Sequence, residues 1–333
     1  MINVAAGTYD ENQILINKAL IVQGAGIDSS IIDGNGAITL SDIGLVRITA
    51  NGNVTFDGFT IRNAGVNPLI VGNSLMPVRV GIYASSSNSS IKYTINRTKI
   101  IGTNNPSDEE DYGFYSNSGL EHLIFTNNNI RETGANSILL EKHTGKVNIE
   151  NNDLDVGVYG SDSIFAMTYG GVDINSKYLI KNNHFDLGTG TFDHGATAIS
   201  IASSFVGGGG DGKFTDVEIS NNVIDNLKVN RRGITLWNGD LTDGVGGETT
   251  AKIVNNTING ENAASSRGIS LLGKHSNVNI SNNEVENLFR GIWITDSITG
   301  GIHYSVNTQV NDNKIVGNDN GLIWDGLTLL NAT

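Results

Sequence analysis

The sequence predicts an all-β chain wound as a right-handed parallel β-helix of about ten coils. Three observations lead there. One six-residue phrase returns as "IENNDL", "ISNNVI", "IVNNTI" and "ISNNEV" from Ile149, Ile219, Ile253 and Ile280, with looser copies "FTNNNI", "IKNNHF" and "VNDNKI" from Phe125, Ile180 and Val310. A second phrase alternates with it, a small residue and then two apolar residues separated by one outward residue, as in "GIYA", "GFYS", "GITL", "GISL" and "GIWI". No stretch carries the 3.6-residue periodicity of an amphipathic helix.

The asparagine phrases lie 24 to 39 residues apart, the spacing of a solenoid repeat. Both phrases alternate with period two, the mark of short half-buried strands. Short strands in repeating order, with no crossover helices, stack as coils about 4.8 Å apart. Asparagine tolerates the left-handed backbone of a tight turn. Its amide can also donate to one rung and accept from the next. Asn128, Asn152, Asn183, Asn222, Asn256, Asn283 and Asn313 are therefore expected to form one internal ladder, with a structural role. The chain reads as a single domain over 1–333, with first coils over 1–62 and looped central and C-terminal coils over 63–333.

Composition narrows the function classes. Among 333 residues there are 42 glycines, 3 prolines and no cysteine, and the net charge is −13. Absence of cysteine removes thiolate chemistry and disulfides. The acidic balance argues against nucleic acid as a partner. No apolar run is long enough to span a bilayer, so membrane insertion is not expected.

The opening "INVAAGTYDENQILINKALIVQGAGIDSSIIDG", with its "GTY" and G-x-G turn, looks like the first coils of the pectate-lyase-like β-helix family, whose repeats include carbohydrate-binding and sugar-hydrolase types. The resemblance covers nearly the whole chain. It implies the fold strongly and leaves activity open among lyases, hydrolases, esterases, epimerases and non-catalytic adhesins. The family's helical N-terminal cap is missing here, and the start looks trimmed of a signal peptide, which makes an extracellular or cell-surface location the expectation. In this family the binding groove lies along the strand that here reads G-I-x-L.

On that strand Tyr83, Tyr115, Leu139, Glu141, Phe165, Thr235, Trp237, Ser270, Trp293 and Asp325 take outward positions. Solvent-facing aromatics suit stacking against sugar rings, and Tyr83, Tyr115, Trp237 and Trp293 are the candidates. "RGI" occurs three times, at Arg232, Arg267 and Arg290. If the coils stack consecutively, three guanidinium groups form a column. Nearby carboxylates (Asp225, Glu261, Glu286) could relieve the repulsion from within, and an anionic polymer in the groove would also relieve it.

Lys274-His275 follows one such strand, as Lys142-His143 follows another. A base beside an arginine column suits β-elimination of a uronate, in which arginine neutralises the carboxylate and the base removes the C5 proton. Acidic candidates cluster in earlier coils: Asp111, Glu141, Asp162 and Asp193, the last in "FDHG" with His194. Pairs of them could serve glycoside hydrolysis. That tetrapeptide is faintly similar to the "DPHD" of alginate C5-epimerases but lacks its proline and second aspartate. No motif requires a cofactor, and Ca²⁺ is the ion that acidic loops such as "SDEED" could hold. The lead reading is thus cleavage of an acidic polysaccharide by β-elimination. A glycoside hydrolase and a non-catalytic glycan-binding solenoid are the alternatives, with monomer and homotrimer both open.

Overall fold

The computed structural model describes all residues except 37–42, 66, 72–73, 104–110, 118, 156–161, 169–170, 189–195, 204–211, 239–246, 274, 296–306, 326–330 and 333; side-chain placement is also not described for 67–71, 74–77, 103, 238, 325, 331 and 332. Its strands wind as a right-handed parallel β-helix. The described residues form two compact units, Met1–Ser163 and Ile164–Gly188 with Asp193–Thr333.

In the first unit three parallel ladders run side by side. Each buries one column of apolar side chains along its strands. Val22, Phe56, Ile95, Phe125 and Ile149 are successive register partners in the first ladder. Ile32, Ile61, Ile100, Ile130 and Leu154 follow one another in the second. Val46, Ile82, Phe114 and Ile138 do so in the third, and nearly all of these side chains are fully buried. The second unit repeats the plan, with Ile180, Ile219, Ile253, Ile280 and Val310 in one column. Another runs Phe185, Ile224, Ile258, Val285, Ile315, and a third Ile164, Ile199, Ile234, Ile269, Ile292. Period-two alternation inside each strand is what puts like residues from successive coils on one side.

The repeated asparagine pair divides its labour. The first member, Asn127, Asn151, Asn182, Asn221, Asn255 or Asn282, has φ between 55° and 57°, and Asp312 takes that place at 54°. This is the left-handed corner that Asn and Asp tolerate better than most residues. The second member points inward and builds the hydrogen-bond ladder. In the second unit the Asn183 Nδ2 donates to Asn222 Oδ1 at 3.0 Å, and the Asn222, Asn256 and Asn283 amides each donate to the next at 2.9 Å. Each Nδ2 from Asn222 to Asn313 also donates to a carbonyl on the rung behind. In the first unit the Asn128 backbone N–H donates to Asn152 Oδ1 at 2.9 Å, the Nδ2 groups of Asn128 and Asn152 donate to the Ile95 and Phe125 carbonyls, and the Thr98 N–H closes the row by donating to Asn128 Oδ1 at 2.9 Å. One coil earlier Gly58 makes the corner, and Phe59, stacked 4.5 Å from Phe56, fills the inner place.

Asn67–Val71 pairs antiparallel with the start of Ser74–Ala84, a ribbon leading into the third ladder. Among the described residues no helix is long and apolar enough to cross a membrane.

Candidate functional site

The "RGI" phrases sit where the chain turns into the third ladder of the second unit. Thr197, Arg232, Arg267, Arg290 and Asn320 are successive register partners, so the three arginines stack in adjacent coils. The glycine after each is a requirement of the corner. A Cβ at Gly268 would lie 2.4 Å from Val285 Cγ1 and 2.5 Å from the Gly291 carbonyl, and Gly233 and Gly291 meet the same obstruction. Gly268→Ala is therefore expected to cost about 1–3 kcal/mol as overpacking. The urea midpoint would show it, and an unchanged midpoint would mean that the corner relaxes freely.

The arginine side chains are half-buried and lean along the face. The Cζ atoms of Arg267 and Arg290 lie 4.2 and 4.3 Å from the Trp293 ring centroid, and Arg290 also approaches Phe289 at 5.4 Å. Among the described residues no carboxylate stands within ion-pairing distance of Arg232, Arg267 or Arg290. The carboxylates considered as internal partners are placed elsewhere. Asp225 faces Asn259 at 2.9 Å and His184 at 3.5 Å, and Glu286 holds Lys314 at 2.7 Å. Glu261 is exposed. Burial first, and then the charges of Arg232 and Arg290, push the Arg267 guanidinium down to about 10. Like charges about 5–8 Å apart repel by roughly 2–3 kcal/mol at an effective dielectric near 20. A cation–π contact returns only about 1 kcal/mol. Among the described residues the column therefore has no carboxylate to offset its repulsion.

Two outward rows flank the arginines. Thr235, Ser270 and Trp293 are neighbours in one, and Trp237, Leu272 and Thr295 in the other. Trp237 and Trp293, both expected as sugar-stacking residues, are half-buried and stand in different rows. Trp293 is already engaged by two guanidinium groups. His275, expected as an acid or base beside the column, is fully enclosed, with Nε2 3.2 Å from the Leu272 carbonyl. Burial pushes it down to about 4, so it is a neutral structural imidazole. Lys274 lies outside the described residues.

The first unit presents a different face on its own third ladder. Arg47, Tyr83, Tyr115 and Leu139 are successive partners there. Arg47 stands over Tyr83 at 5.8 Å, and Tyr83 meets Tyr115 edge-on at 5.4 Å. Tyr112 adds a third ring 5.8 Å from Tyr115. Tyr83 is half-buried, whereas Tyr115 is only 8% exposed, which corrects the expectation of an open stacking ring. The Tyr115 hydroxyl donates to Glu141, and burial, followed by the Glu141 charge, raises its proton affinity.

The expected acid–base pairing of Glu141 with Asp111 fails on burial. Asp111 is 0% exposed, accepts the Arg79 backbone N–H at 2.8 Å and pairs with its guanidinium at 3.2 Å. Asp162 is half-buried, and its backbone carbonyl accepts from Asn136. Asp193 and His194 lie outside the described residues, as do Asp108, Glu109 and Glu110 of the candidate Ca²⁺ loop. Among the described residues no group of three or more His, Asp or Glu side chains gathers as a metal site. Arg47 and Tyr112 escaped the sequence reading; the alternation in "GLVRI" was the available signal for Arg47.

No family model and no curated protein matches the chain. Solved structures similar to it include the A-module of Azotobacter vinelandii mannuronan C-5 epimerase AlgE4, at 13% identity and TM-score 0.48, covering 99% of this chain and 90% of that one. PfbA, a surface adhesin of Streptococcus pneumoniae, is similar at 14% identity and TM-score 0.49, covering 94% and 84%. The catalytic domain of a GH87 α-1,3-glucanase is similar at 16% identity and TM-score 0.46, covering 99% and 64%. These likenesses lie in the fold, and the chain's own strand register is what establishes it.

Proposed function

We propose that this chain is an extracellular carbohydrate-active β-helix that takes an acidic polysaccharide on the third-ladder face of its second unit. One observation carries the reading: three arginines stacked in register, half-buried, with no carboxylate in ion-pairing distance among the described residues. Guanidinium groups fork carboxylates well. A repeating polyanion offers one carboxylate after another, as the coils offer one arginine after another.

Cleavage by β-elimination is the chemistry this charge arrangement favours. Neutralising a uronate carboxylate acidifies its C5 proton. A base then takes that proton, the electron pair forms the C4–C5 double bond, and the C4–O bond breaks as the leaving oxygen takes a proton from solvent. With His275 enclosed, the base in this reading falls to Lys274, and Arg267 keeps its charge to hold the carboxylate. Non-catalytic binding is the second reading. It is favoured by the withdrawal of His275 from the face.

Uronate-rich polymers separate the readings. Elimination yields an unsaturated product that absorbs in the ultraviolet, and a binder is retained on the immobilised polymer with no such product. Either way, Arg267→Ala is expected to weaken the interaction at least tenfold, because a charge-assisted hydrogen bond is worth roughly 1.5–3 kcal/mol. Retention and turnover equal to the unsubstituted protein would remove the column from function.

A further inference from the structure

Two hydroxyl groups stand in the row next to the arginine column. Thr235 and Ser270 are register neighbours, Trp293 is the next residue in their row, and exposures of 2% and 0% close both off from solvent. Neither Oγ has a hydrogen-bond partner among the described residues, and the same holds for Nε of Arg232 and of Arg290. An unmet buried polar group is costly, so four in one neighbourhood need a reason. The lean of Arg267 and Arg290 onto Trp293 carries their charge towards this row. An outward face on a packed solenoid has no structural use for such an arrangement.

We infer that Trp293, Ser270 and Thr235 form an anion clamp with the arginines. Arg267 and Arg290 rest on the indole, and an arriving carboxylate draws them off it and takes the two hydroxyls as further donors. This deepens the acidic-polysaccharide reading and rests on it. Trp293 is then a positioning residue, because its ring presents the guanidinium groups and does not stack on sugar. The clamp selects a free carboxylate over an ester, since an ester offers no charge for the guanidinium groups to exchange for the indole. Sharing of Arg267 and Arg290 between ring and ligand makes the binding sensitive to the π-face, not merely to bulk at residue 293.

Calorimetric titration with hexagalacturonate, hexamannuronate and fully methyl-esterified hexagalacturonate tests this, alongside tryptophan emission. The unsubstituted protein should bind an acidic hexamer, shift its emission, and ignore the ester. The Ser270→Ala, Thr235→Val double variant should bind the same acid roughly tenfold more weakly, the equivalent of about 1.4 kcal/mol. Trp293→Leu should also lose about tenfold and its emission response, whereas Trp293→Phe, which keeps a π-face, should stay within about threefold. Thermal melting checks that each variant folds; should Trp293→Leu fail to, the small-residue double variant decides. Undiminished acid binding by the double variant overturns the clamp while leaving the column reading intact, provided Arg267→Ala still loses binding. Equal affinity for acid and ester also overturns it, making Trp293 a sugar platform. If neither acid binds the unsubstituted protein, the polysaccharide reading falls and the clamp with it.

Discussion

Asn256→Ala is expected to be among the most destabilising single substitutions in the second unit, at roughly 3–6 kcal/mol from three orphaned polar groups and a small cavity. Asn256 is 1% exposed, and its side chain serves both neighbouring rungs. Its Oδ1 accepts the Asn222 backbone N–H at 3.0 Å and the Asn222 Nδ2 at 2.9 Å. Its Nδ2 donates to Asn283 Oδ1 at 2.9 Å and to the Ile219 carbonyl at 3.0 Å. Truncation strands two donors of Asn222 and one carbonyl where water does not reach. Whole domains are stable by only about 5–15 kcal/mol, so a loss of this size is a large part of the total. The adjacent Asn255 is the control. Its φ is 57° and it supplies the corner, so Asn255→Gly should change stability by less than about 1 kcal/mol. Urea denaturation followed by far-ultraviolet circular dichroism compares the two. Equal effects of Asn255→Gly and Asn256→Ala would end the argument that the pair has two separate jobs.

That division explains what could and could not be read from the letters alone. The phrase "NN" announced both a corner and a ladder, because both need asparagine chemistry, but nothing in it says which residue does which. Backbone geometry assigns the roles, and the departures fit: Arg97, at φ 44°, stands at a corner where no asparagine occurs, and Thr98 takes the inner place beside it. The stacking of Arg232, Arg267 and Arg290 was legible, since glycine fixes the corner and the alternation fixes the register. Which way the side chains turn after the corner was not. Arg267 reaches Trp293 across a separation that only the coil length sets. Asp111 looked available for catalysis because its partner Arg79 lies a full coil upstream. His275 follows an exposed-looking "GISLLGK", yet the chain folds it inward behind Leu272. Period-two patterns place residues within a strand and say little about the turn that ends it.

The inward histidines make the protein's acid stability measurable in a distinctive way. His143 and His275 are both 0% exposed, and burial pushes them down to about 3 and about 4 from an ordinary value of 6.5. Between those values and pH 6.5 the unfolded chain binds protons that the folded chain refuses. Stability therefore rises with pH in that window, is fully present above about 6.5, and is lost as pH falls. A shift from 6.5 to about 4 corresponds to roughly 3–4 kcal/mol for His275. Carboxylates act lower on the scale: the Lys177 ammonium holds Glu218 below its usual range, and Arg97 overcomes the burial that would raise Asp57. Their stabilisation is present above about pH 4 and disappears only beneath it. The expected result is a urea midpoint that starts to fall near pH 6.5, well before the carboxylates titrate. Replacing both histidines, as His143→Gln with His275→Asn, should flatten the profile between pH 6.5 and 4.5 even if it lowers the plateau at neutral pH. Glutamine can keep a hydrogen bond to Ser116, which now lies 3.1 Å from the His143 ring. If the double variant retained the slope of the parent across that window, the protons responsible would have to be bound elsewhere, and the enclosed imidazoles would be exonerated.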